Sequence, residues 1–91
     1  MKGVHIIITG FVQGVGFRQF VKQQARKLGL VGWVQNMPDG SVEAKAFGPM
    51  DMIQQLIEVC KKGPFLAEVK DVQVEWIESD MVPSDFSTLH N

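Results

Sequence analysis

The stretch "HIIITGFVQGVGFRQFVKQQARKLG", His5 to Gly29, changes its period part-way, and that change decides the fold. Ile6-Ile7-Ile8 lies in a β-branched run too short for a good helix, so Val4 to Val12 reads as a first strand. Apolar on both faces, that run suits a central strand covered on at least one side. From Phe17 onward the apolar residues Phe17, Phe20, Val21, Ala25 and Leu28 recur at helical spacing. Lys22, Gln23, Arg26 and Lys27 fill the opposite face, and the basic pair suits the negative end of the helix dipole before Gly29 stops the helix. Between strand and helix lie Gly14 and Gly16, then Phe17-Arg18. A structural turn rarely needs two glycines so close together; an anion site does.

Working outward, Leu30 to Met37 reads as a second strand, and Pro38-Asp39-Gly40 as a turn in which proline presets one backbone angle and glycine takes positive φ. Ser41 to Phe47 alternates Val42, Ala44 and Ala46 against Glu43, Lys45 and Phe47, a half-buried third strand that closes a hairpin. Gly48-Pro49 introduces a second helix with the stripe Ile53, Leu56, Ile57 and Cys60, and Gly63-Pro64 ends it. Val69 to Glu78 reads as a fourth strand with Val72, Val74 and Trp76 facing one way; Ser79 to Ser84 is a loop, and Asp85 to Leu89 a short edge strand. The order βαββαβ makes two split βαβ units. They predict an α+β, ferredoxin-like sandwich: an antiparallel sheet with both helices on one face.

The chain has 91 residues, the size of a single domain spanning 1–91. Nine basic against ten acidic residues leave a net charge of −1, so no basic field exists to hold a nucleic acid. Tyrosine is absent, which weakens further a base-stacking role. Cys60 is the only cysteine, which excludes an internal disulfide and a cysteine zinc site. No apolar run approaches the ~18–20 residues of a membrane span. The expectation is a cytoplasmic monomer without membrane contact.

Topology assigns the glycine loop a partner. In a right-handed βαβ unit the first two strands are parallel, so their carboxyl ends share one edge of the sheet. Arg18, at the start of the helix, and Asn36, near the end of strand 2, are therefore expected to be neighbours. A helix start offers unpaired N–H groups, Gly14 and Gly16 allow the loop to curl into a nest, and Arg18 adds a planar fork for phosphate oxygens. No Gly-Lys-Ser/Thr follows, which excludes a P-loop, and the third glycine of a dinucleotide fingerprint would fall at Gln19. From the residues alone, an anion site and a mere tight connection remain open.

"VQGVGFR" (12–18), "GWVQN" (32–36) and "PDGSVEA" (38–44) together resemble the acylphosphatase family, in register from strand 1 through strand 3. The resemblance implies hydrolysis of a carboxyl-phosphate anhydride to a carboxylate and inorganic phosphate, without metal or other cofactor. It implies a sheet ordered 4-1-3-2 with a fifth short edge strand. Arg18 matches the family's phosphate-binding arginine and Asn36 its water-orienting asparagine, with Gln13, Gly14, Val15, Gly16, Phe17 and Arg18 forming the phosphate loop. The partners implied are a small acyl phosphate substrate and inorganic phosphate as product and competitive inhibitor. A non-catalytic phosphate-binding module on the same fold is the alternative. Phe11 stands where the family often has arginine, and the tail Phe86-Ser-Thr-Leu-His-Asn departs from the usual aromatic or basic ending.

The remaining candidates have plainer readings. Cys60 reads as a packed small apolar residue, His5 as a pleat residue, and His90 as a tail residue with no specific role. Trp33 and Trp76 read as core or half-core aromatics. No carboxylate pair has the spacing of a metal site.

Overall fold

A computed structural model of the chain describes residues 1–90; Asn91, the last residue of the divergent tail, lies outside them. Seven elements follow one another: β1 (Lys2–Phe11), α1 (Phe17–Lys27), β2 (Val31–Asn36), β3 (Val42–Phe47), α2 (Met50–Lys62), β4 (Glu68–Glu78) and β5 (Phe86–Leu89). They form one five-stranded sheet in the order β4-β1-β3-β2-β5. The first four strands pair antiparallel, as expected, while β5 joins the free edge of β2 in parallel and makes the sheet mixed. Both helices pack on one face, and the fold is a ferredoxin-like α+β sandwich.

The core follows from the two periodicities. Val4, Ile6 and Ile8 of β1 and Val42, Ala44 and Ala46 of β3 point at the helices and are fully buried. Phe17, Val21 and Ala25 of α1 meet them, together with Ile53, Leu56, Ile57 and Cys60 of α2. Burial pushes the Cys60 thiol up to about 12, which keeps it protonated and inert. Phe17 and Phe20 pack edge to face with centroids 6.0 Å apart, anchoring the first turn of α1.

Trp76 departs from its expected burial. It pairs with Val4, as Val74 does with Ile6, so both lie on the helix side of the sheet. Yet β4 is an edge strand that α2 covers only in part: Val69 and Val72 pack against the core, while Val74 is 37% and Trp76 42% exposed. Trp33, on the opposite face, is half-buried.

That opposite face carries a polar cluster. Nε2 of His5 lies 2.6 Å from a carboxylate oxygen of Glu43, and the Gln35 amide donates to the other oxygen at 2.7 Å. Partial burial pushes the Glu43 carboxyl up, but the hydrogen bonds from His5 and Gln35 and the charges of His5 and Lys45 outweigh it and hold the group below its ordinary range. His5 is thus more than a pleat residue. A carboxylate depressed in the folded state stabilises above its unfolded pKa, and that contribution is lost as pH falls through the folded value. Glu43→Gln is expected to cost about 1 kcal/mol at neutral pH. The deficit should shrink on acidification, which thermal melts of both proteins at pH 6 and pH 3 will show.

Candidate active site

The loop after β1 closes against the hairpin rather than hanging free. One amide carries this brace: Gln13 Nε2 donates to the Met37 carbonyl at 2.8 Å and the Ser41 carbonyl at 2.9 Å. The turn it grips is itself held by Asp39, whose carboxylate accepts from the Ser41 N–H at 2.9 Å and hydroxyl at 2.6 Å. Those two bonds from Ser41 keep the Asp39 carboxyl below its usual range. The loop and the end of β2 are thereby locked together.

Gly14 and Gly16 both take left-handed φ, 75° and 78°, and no neighbour crowds either. Backbone geometry, not space, thus selects glycine at both positions. Gly16 is the N-cap of α1, with no side-chain cap and no acidic residue in the first turn. The positive end of the helix dipole is left to whatever anion enters.

An open pocket of about 250 Å³ sits at this helix start. Val12, Gly14 and Gly16 line it from the loop; Phe17, Arg18 and Gln19 line it from the first turn of α1. Asn36 reaches it from the end of β2, the convergence with Arg18 expected from the parallel strands. Of the six expected loop residues, Gln13 and Val15 do not line the pocket. The Gln13 side chain is engaged by the hairpin, and Val15 packs against the core. Phe11, at the position often held by arginine, is 62% exposed at the end of β1.

Thr88 and His90 supply the remaining wall, from the C-terminal segment. The reading of His90 as a residue without a role is therefore corrected. Its Nδ1 lies 3.0 Å from Arg18 Nη1, which also donates to the Leu89 carbonyl at 3.3 Å. The tail lands there because β5 runs parallel to β2 and ends on the same edge. Among the described residues no acidic side chain lines the pocket. Among the described residues no cluster of three or more His, Cys, Asp or Glu is arranged to hold a metal ion, and no helix is long and apolar enough to cross a membrane.

A family model described as Acylphosphatase matches residues 4–88. The chain belongs to the acylphosphatase family. An acylphosphatase of Salinibacter ruber is 49% identical over 78 residues, 86% of this chain and 82% of that protein. The crystal structure of acylphosphatase from Bacillus subtilis superposes with a TM-score of 0.95 at 41% identity, covering 99% of this chain and all of the other. An acylphosphatase structure from Coxiella burnetii gives 0.92 at 40% identity, over 97% and 92% of the two chains. Both superpositions extend over nearly the whole of this chain.

Proposed function

We propose that the protein hydrolyses small acyl phosphates to a carboxylate and inorganic phosphate, in the cytoplasm and as a monomer, with no metal or cofactor. The observation that carries the reading is the convergence of Arg18, the glycine loop and Asn36 on one pocket whose described residues include no acidic side chain. Phosphoryl transfer through a loose transition state needs positioning and charge stabilisation more than covalent chemistry, and the carboxylate leaving group needs no strong acid. In this reading the loop N–H groups from Gln13 to Phe17 and the Arg18 fork clamp the phosphoryl oxygens, and the Asn36 side chain orients a water in line with phosphorus. The water's proton passes to the substrate phosphate.

His90 does not take that proton in the arrangement observed. Arginine only donates, so Nδ1 facing Arg18 is the ring's acceptor, and the neutral imidazole then carries its hydrogen on Nε2. No lone pair is left for a base.

The test is hydrolysis of a small aryl acyl phosphate by the purified protein with chelator present. Turnover that survives the chelator and is inhibited competitively by inorganic phosphate is the expected result. Phosphate binding without turnover would instead establish the non-catalytic module. Turnover abolished by chelator and restored by a divalent cation would overturn metal independence.

A further inference from the structure

We infer that the Thr88 hydroxyl is a second holder of the attacking water, alongside the Asn36 amide. The inference deepens the proposed reaction and rests on the reading of Asn36 as the group that orients that water. Its first support is the register of the sheet. β5 runs parallel to β2, with Thr88 opposite Val34 and Leu89 opposite Gln35. Val34 is fully buried beneath the helices, so Thr88 stands on that same face, two residues short of the level of Asn36. One strand spacing and a two-residue offset separate their Cα atoms by on the order of 8 Å, a gap that two polar side chains and one water fill. Both residues line the pocket. In the order β1-β3-β2-β5, Thr88 lies on the far side of Asn36 from β1, whose end carries the glycine loop. That place suits a partner of the water better than a ligand of the phosphoryl oxygens.

The second support is that this hydroxyl is unused. Gln13 spends its amide on the Met37 and Ser41 carbonyls, and Ser41 spends its hydroxyl on Asp39. Among the described residues Thr88 finds no hydrogen-bond partner for its hydroxyl, and no buried polar side-chain atom is left without one, so the hydroxyl is reached by solvent. A water poised for in-line attack keeps one lone pair for phosphorus and one hydrogen for the phosphate oxygen that takes the proton. One hydrogen and one lone pair remain for the protein. The Asn36 amide can meet either, and a hydroxyl, which both donates and accepts, meets the other. Being neutral, it does so without repelling the anion.

The test is a pair of variants, read by kcat and KM for an aryl acyl phosphate and by the inhibition constant of inorganic phosphate. Thr88→Val removes the hydroxyl and keeps the β-branched shape that the strand favours. It should lower kcat about 3- to 10-fold, the worth of one neutral hydrogen bond, with KM and phosphate inhibition within about twofold of the parent. Thr88→Ser returns the hydroxyl without the methyl group and should stay within about twofold throughout. In an Asn36→Ala background, Thr88→Val should cost less than about twofold, because the two groups share one water. An unchanged kcat in the valine variant, a serine variant as slow as the valine one, or full additivity with Asn36→Ala would overturn the inference. So would phosphate inhibition that weakens in step with kcat, which would make Thr88 a ligand of the anion. Asn36→Ala alone separates the two claims. If it lowers kcat while position 88 is silent, only the role of Thr88 fails; if it leaves kcat intact, the water-holding reading of Asn36 fails with it.

Discussion

Arg18→Ala is expected to lower kcat/KM for an acyl phosphate by on the order of 10²–10³, the loss seen when a preorganised charge is removed from a transition state. The size of the effect follows from how little else in the pocket carries charge. The glycine loop contributes backbone dipoles, and Asn36, Gln19 and Thr88 contribute neutral groups. Among the described residues Arg18 is the one permanently charged side chain on that lining. If, as proposed, it grips the phosphoryl group in the ground state and the transition state alike, its removal should raise KM and the phosphate inhibition constant as well as depress kcat. Arg18→Lys should recover part of the binding, since a point charge returns without the planar fork. Arg18 makes only exposed contacts to the tail, so the fold is not at stake. A variant with activity and phosphate inhibition within twofold of the parent would overturn the assignment.

The parts of this molecule that were legible in its sequence are those set by local chemistry and chain direction. Glycine and proline mark the ends of every central element, and the change of period at Phe17 separates strand from helix without ambiguity. The meeting of Arg18 with Asn36 also follows, because two parallel strands deliver their carboxyl ends to one edge whatever the side chains do. Burial at the margin was less accessible. Val72, Val74 and Trp76 alternate as a half-buried strand should, and they do face the helices. Periodicity does not place β4 at the edge, where Trp76 is left partly in solvent; the strand order implied by the family resemblance does, and the structure has it.

The tail was hidden for a different reason. His90 follows a four-residue strand, and its position depends on β5 pairing with β2 and on Arg26 reaching Asp85, fifty-nine residues away in sequence. No periodicity records such a pairing. One clue was present: Arg18 and Arg26 lie two helical turns apart, and both have partners in the last seven residues. Gln13 shows the same limit on a smaller scale. A glutamine in a glycine loop reads as part of an anion nest, yet its amide joins two carbonyls of a hairpin more than twenty residues away. That side chain ties the loop to the hairpin.

Asn36→Ala should separate chemistry from binding, and its expected signature is a fall in kcat on the order of 10² with the phosphate inhibition constant unchanged within about twofold. Asn36 sits at the last position of β2, paired with Val42 across the hairpin, on the side of the sheet that faces the pocket. Two supports fix that position: the Asp39-centred turn just beyond it and the Gln13 amide that ties the turn to the loop. In the proposed mechanism the Asn36 amide aims a water at phosphorus along the line of the leaving group, which would lower the barrier without tightening the grip on a phosphate clamped by Arg18. On that reading, removing it should cost the transition state and spare the ground state. Asn36→Asp supplies the contrasting case. Its carboxylate has the shape to hold a water, yet it brings negative charge toward the phosphoryl group, so it should raise KM and weaken phosphate inhibition where alanine does neither. Equal losses of phosphate binding in the alanine variant would place Asn36 among the anion's ligands and remove it from the water.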